Sequence, residues 1–211
     1  KPASLDPIHA AAVPLATLTA WQALVDAAQL QAGQTVLIHA AAGGVGSMAV
    51  QLAKARGARV IATASAVNLG LLTELGADQL IDYTKARFED VVSQVDVVFD
   101  TIGDDTQDRS WSVLKPDGML VSIANPPPAE TAVSFGVRSA FVFVQPNGSQ
   151  LTAIGRLIDD AAKPIAYGGI DAILDQEWAW GQVKEDGSFV IDGLAPGSNY
   201  MAHVMDMPGN A

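Results

Sequence analysis

Runs of apolar residues that do not alternate with polar ones recur between residues 35 and 144, separated by stretches of helical spacing, and few folds satisfy both facts at once. "TVLIHA" (35–40), "RVIATA" (59–64), "QLIDY" (79–83), "DVVFDTI" (96–102), "MLVSIA" (119–124) and "SAFVFV" (139–144) read as strands. Residues 46–56, 68–75, about 88–93, about 106–114 and 148–160 read as helices. A strand that is apolar throughout is covered on both faces, and strands separated by helices run parallel through right-handed crossovers. The expected fold class is α/β, a Rossmann-type doubly wound parallel sheet of about six strands. Ahead of it, Asp6 before Pro7 is an N-cap and first-turn signal, and "LTAWQALVDAAQL" (18–30) spaces its apolar residues as a leading helix stopped by Gly33. "PDG" (116–118) is a turn, and "NPPP" (125–128) leads to the sixth strand.

From about Lys163 the pattern changes. "EWAWGQVKE", "GSFVIDGL" and "NYMAHVMDM" are short alternating runs divided by Gly, Pro and Asn, which read as antiparallel strands. The expected domains are the Rossmann-type α/β domain over 1–162 and a small β-rich extension over 163–211. Trp178, Trp180, Phe189 and Tyr200 in the extension read as one packed face of a small sheet rather than as a substrate lid.

Composition narrows the function. Twelve Lys and Arg stand against 23 Asp and Glu, for a net charge of −11, and the basic residues are scattered. Nucleic acid, which needs a concentrated basic face, is not an expected partner. With no Cys the chain has no disulfide, thiolate ligand or Cys nucleophile. No uncharged apolar stretch reaches the roughly 18 residues of a membrane span, and the N-terminus lacks a secretory pattern; no membrane partner and a cytoplasmic location are expected. There is no G-x-S-x-G elbow and no Gly-Lys-Ser/Thr ending of a P-loop, which disfavours acyl transfer and ATP hydrolysis. His9, His39 and His203 have no ligand spacing, and Asp100, Asp104, Asp105 and Asp108 fit no calcium-loop pattern, so no metal is expected.

The sharpest motif follows the first strand. In "AAGGVG" (41–46) the spacing of Ala41, Gly43 and Gly46 is the dinucleotide fingerprint with alanine in place of its first glycine. A tight turn must leave the strand, the backbone at Gly43 and Gly44 must admit a pyrophosphate, and Gly46 must let the new helix lie on the sheet. Free amides and the helix dipole then face the phosphates. At the end of the second strand "TASAVN" carries no acid that would accept from a ribose 2′-hydroxyl or repel a 2′-phosphate; Ser65 and Asn68 are donors. NADP (NADPH) is expected over NAD.

"AAVPLATLTAWQALVDAAQLQAGQTVLIHAAAGGVGSMAVQLAKARGARVIATAS", "LGADQLIDYTK" and "FVFVQPNGSQL" together resemble the nucleotide-binding domain of the medium-chain dehydrogenase/reductase superfamily, in its zinc-independent quinone oxidoreductase-like branch. The resemblance covers about residues 1–160. It implies hydride transfer from NADPH to a small-molecule quinone or enone. It also implies cofactor-binding roles for Gly43, Gly44, Val45 and Gly46 at the pyrophosphate, and for Ser65, Asn68, Tyr83 and Lys85 around the 2′-phosphate. Thr19, Ile102, Gly103, Asn125, Phe141 and Val144 are implied at the ribose and nicotinamide. Relatives often carry a basic residue where this chain has Val67, and the metal ligand of zinc-dependent relatives falls roughly at Pro14. The resemblance further implies a homodimer through the sheet edge at "SAFVFV".

The resemblance stops near residue 160, and the family's β-rich catalytic domain is expected to be absent from this chain. The piece "GQVKEDGSFVIDGLAPGSNYMAHV" resembles instead a strand-turn-strand unit of a carboxypeptidase-regulatory-like β-sandwich. The catalytic residues are therefore unknown from the sequence. Two functions stay open beside an NADPH-dependent reductase: a non-catalytic NADP-binding module, and a truncated or composite chain with no turnover of its own.

Overall fold

A computed structural model of the chain describes residues 1–5, 7–160, 181–183 and 189–191. Six parallel strands, β1 (Thr35–Ile38), β2 (Arg59–Ala64), β3 (Gln79–Asp82), β4 (Val95–Asp100), β5 (Leu114–Ser122) and β6 (Arg138–Phe141), form one sheet in the order β3-β2-β1-β4-β5-β6. Order reverses between β1 and β4, the switch point at which open α/β sheets leave a crevice beyond their carboxyl ends. β3 and β6 are the edges.

Both faces are covered, as the unbroken apolar strands require. Val36 and Ile38 of β1, Val60 and Ala62 of β2 and Phe99 of β4 pack beneath α1 (Pro7–Trp21), α2 (Gly44–Ala55) and α3 (Leu69–Glu74), where Ala20, Met48, Val50 and Leu72 are buried. Leu37, Ile61, Val98 and Leu120 point the other way, onto Phe88, Val92, Trp111 and Ala132. A third apolar cluster joins Val13 and Leu18 of α1 to Ile154 and Ile158 of α6 (Gly148–Asp160).

Four expectations need correction. The leading helix begins at Pro7, where the first-turn signal stands, and runs through Pro14, but its last part, Gln22–Ala27, is π-helical and stops short of the expected Leu30. Asp6, the expected N-cap, lies outside the described residues. The helix expected near 88–93 is only a 3₁₀ turn, Phe88–Asp90, because its one strong demand is to bury Phe88 and Val92 against the sheet. The helix expected over about 106–114 is α4 (Asp104–Ser110) closed by a 3₁₀ turn, Trp111–Val113. The "PDG" turn is a bulge inside β5, whose register to β4 shifts between Val95 and Val97 with Asp117 at φ 60°. A short helix, α5 (Ala129–Ser134), follows the prolines and was not expected.

The chain divides into two compact units, Lys1–Asp171 and Ala172–Ala211. In the second, β7 (Gly181–Val183) pairs antiparallel with β8 (Phe189–Ile191), as the alternating runs there suggested. Trp178, Trp180 and Tyr200 lie outside the described residues. Among the described residues no helix is long and apolar enough to cross a membrane.

Candidate nucleotide site

The turn out of β1 is built by small residues at forced positions. Ala40 takes φ 45°, a left-handed conformation that costs an alanine roughly 1 kcal/mol. The chain then closes on itself, with the Gly43 amide donating to the Ala40 carbonyl at 2.9 Å and the Ala41 amide donating to the Thr63 carbonyl at 3.0 Å. α2 starts at once, and its first i to i−4 bond is Ser47 N–H to the Gly43 carbonyl, 2.8 Å. The amides of Gly44, Val45 and Gly46 precede that bond and have no carbonyl of their own helix to reach. A Cβ on Gly46 would stand 2.4 Å from the Ala40 oxygen and 2.7 Å from Ala41 Cα; a Cβ on Gly43 would meet the same oxygen at 3.2 Å. Glycine at 46 is what lets α2 lie against the turn.

The turns after β4 and β5 share one anchor. Asp100 is fully buried, and its carboxylate accepts from the amides of Ile102 (3.0 Å) and Gly103 (2.8 Å), from Gln107 Nε2 (3.0 Å) and from Ser122 Oγ (2.8 Å). Gln107 Nε2 also donates to the Asn125 carbonyl at 2.9 Å, and the amides of Ala124 and Asn125 donate to Ser122 Oγ. Gly103 (φ 81°) packs so closely that a Cβ there would lie 2.9 Å from Asn125 Nδ2, which itself donates to Asp104 Oδ1 at 2.7 Å.

Beyond the carboxyl ends of β1, β2 and β3 opens a cleft of about 530 Å³ lined by His39, Thr63, Tyr83, Arg87, Phe88, Ile102 and Arg109, among others. Its floor is His39, whose ring lies 3.2 Å from Thr63 Oγ1, 3.0 Å from Ser110 Oγ and edge-on to Phe88. Burial pulls the His39 pKa down to about 4, against the opposing charge of Asp100, so the ring is neutral at pH 7. Arg109 lies over the Phe88 ring, 4.8 Å from its centre, and donates to Asp105 and Glu89 at 2.8 Å each. Glu89 also accepts from Arg87. Burial raises the Glu89 pKa, but hydrogen bonds from its own amide and from both arginines outweigh it and hold the carboxyl below its ordinary value.

The expected site residues fall into groups. Gly43, Gly44, Val45 and Gly46 form the turn described above. Ser65 and Asn68 bond to each other, backbone to backbone at 3.0 Å and side chain to side chain at 3.3 Å. Tyr83 stands beside them, its amide donating to the Ala64 carbonyl at 3.2 Å, and shares the cleft with Ile102. Lys85 does not line that cleft and faces Asp82 at 3.4 Å. Gly103 and Asn125 touch. Thr19 is buried in α1 with its hydroxyl donating to the Leu15 carbonyl, Val144 packs on the α1–α6 cluster, and Phe141 is partly exposed on β6. Sequence reasoning missed Asp100 as an anchor, along with Arg87, Phe88 and Arg109. Among the described residues no three His, Asp or Glu side chains converge as a metal site.

Residues 44–152 match the family profile described as zinc-binding dehydrogenase. An NADPH-dependent alkenal/one oxidoreductase of Arabidopsis thaliana is 46% identical over 125 residues, 58% of this chain and 32% of its own length. A quinone oxidoreductase of Pseudomonas aeruginosa is 38% identical over 145 residues, 65% of this chain and 45% of its own. This chain thus spans less than half of these relatives. Among solved structures, the quinone oxidoreductase of Thermus thermophilus, known also in complex with NADPH, superposes with a TM-score of 0.65 at 32% identity, over 78% of this chain and 57% of that one. That of Coxiella burnetii gives 0.67 at 35%, over 79% and 56%. Since the matched segment makes up more than half of its 211 residues, this chain belongs to the zinc-binding dehydrogenase family, within the medium-chain dehydrogenase/reductase superfamily.

Proposed function

We propose that this chain holds NADPH and is the cofactor-binding part of a reductase acting on quinones or enones. The observation that carries the reading is the β1–α2 turn: three amides without helical partners, beside two glycines whose absent side chains leave the backbone bare. The residues present fit the cofactor. Gly43 to Gly46 would hold the pyrophosphate, Ser65, Asn68 and Tyr83 would surround the adenosine ribose, and Gly103 and Asn125 would border the far half. Ile102 lines the cleft with Tyr83, which favours a place for it at the adenosine end. When bound, the reduced nicotinamide supplies a hydride. The protein's part is to fix that ring's position, and Asp100 contributes by setting two turns at once.

The NADPH dependence of the Arabidopsis relative and the NADPH complex of the Thermus enzyme support the choice of phosphate-bearing cofactor. A zinc-independent site, a homodimer through the exposed edge of β6, a cytoplasmic location and a two-domain division near residue 162 belong to the same reading. A second reading is a module that binds NADPH without turnover. One sample separates the two. Titration with NADPH, followed by fluorescence quenching, should saturate; consumption of NADPH with a quinone or an enone then marks a reductase, and binding without consumption marks the module. Absence of any saturable binding refutes both.

A further inference from the structure

We propose that Arg87, reached from the β3 side of the cleft, is the residue that reads the cofactor's 2′-phosphate in this chain; the inference rests on the NADPH reading above. A dianionic group at the end of β2 needs a cation, and the turn there has none. Residues 65–68 are Ser, Ala, Val and Asn, with Val67 86% exposed. Among the described residues two cations line the cleft, Arg87 and Arg109. Arg109 is committed elsewhere. Its side chain is only 26% exposed, is held by Glu89 and Asp105 at 2.8 Å each, and lies over the Phe88 ring.

Among the described residues Arg87 is held by a single partner, Glu89. Its side chain is 67% exposed, and both Nε and Nη2 donate to the same oxygen, Glu89 Oε1, at 2.7 and 2.6 Å. Arg109 takes the other oxygen of Glu89. When Arg87 turns toward a phosphate, Glu89 keeps a charged partner and no carboxylate is stranded. An exposed ion pair two residues apart holds weakly, whereas a guanidinium on a phosphate makes short, paired, charge-assisted bonds. Tyr83 links this side of the cleft to the ribose: it lines the same space as Arg87, and its amide is fastened to Ala64, next to Ser65. Lys85, the other cation of this loop, is outside the cleft and faces Asp82.

Dissociation constants for NADPH and NADH, measured by fluorescence on the full chain and on Arg87→Gln, test this. The variant should weaken NADPH by about tenfold or more while moving NADH less than about twofold. Arg138→Gln, on the edge strand β6, should change neither, and equal melting temperatures exclude misfolding. Equal losses for both nucleotides would make Arg87 a structural residue and overturn the proposal. So would unchanged NADPH affinity, or a discrimination that vanishes in Lys85→Gln instead. A wild-type chain that binds neither nucleotide refutes the cofactor reading and this inference with it; one that binds both, with no effect at Arg87, refutes this inference alone.

Discussion

Replacing Gly46 by alanine tests the turn from two directions. The new Cβ would sit 2.4 Å from the Ala40 carbonyl oxygen and 2.7 and 2.9 Å from the Ala41 Cα and carbonyl carbon, all below the 3.0 Å that real Cβ atoms respect. The obstacles are backbone atoms pinned by the Ala41–Thr63 and Gly43–Ala40 bonds, so the start of α2 must withdraw rather than a side chain swing aside. Overpacking of this kind costs about 1–3 kcal/mol, offset by up to about 1 kcal/mol of helix propensity. For a domain of this size the net loss lowers the melting temperature by roughly 2–8 °C. NADPH affinity should fall by about tenfold or more, since the withdrawn amides are the proposed phosphate donors. Gly70→Ala is the control: nothing lies within 4 Å of its Cβ position and it sits in α3, so melting and binding should hold or improve. A Gly46→Ala protein that melts and binds like the wild type would refute the packing argument.

His39 has a depressed pKa in the folded state, so the unfolded chain takes up its proton first and stability falls as pH drops below about 6.5, continuing toward about 4. Denaturant titrations at pH 7 and pH 5 should differ by about 2 kcal/mol, and His39→Asn should remove most of that difference; an unchanged slope in the variant would place the titration elsewhere. Asp100→Asn puts an amide N–H₂ where Gln107 and Ser122 donate, leaving donors unmatched in a buried site at a cost of about 1–3 kcal/mol. Hydrogen exchange at Ile102 and Gly103 should accelerate in that variant, and unchanged protection would argue against Asp100 as the anchor of the turn.

The central strands were legible because their runs are apolar without alternation, and β2 matches its predicted bounds, Arg59–Ala64, whereas the edge strand β6 is half-buried to exposed and ends at Phe141, short of the expected Val144. α6 matches its bounds too, Gly148–Asp160, since its periodicity is uninterrupted. Two short segments were not legible. α5 is six residues begun by a proline cap, and the turn at Phe88–Asp90 satisfies one aromatic rather than a helical face. The phosphate turn could be read directly, since its glycines are adjacent in sequence. The Arg87–Glu89–Arg109 group could not, because Arg109 arrives from α4 after a strand has intervened. Asp100 resembled one more member of an acidic run; only its burial separates it from Asp104, Asp105 and Asp108.

The most direct measurement follows backbone amide resonances of the isotopically labelled chain during NADPH titration. Saturable shifts should be largest at Gly43, Gly44, Val45 and Gly46, with smaller ones at Ser65 and Tyr83. Saturating NADPH that leaves those four amides unmoved, or that shifts another surface instead, would contradict the account.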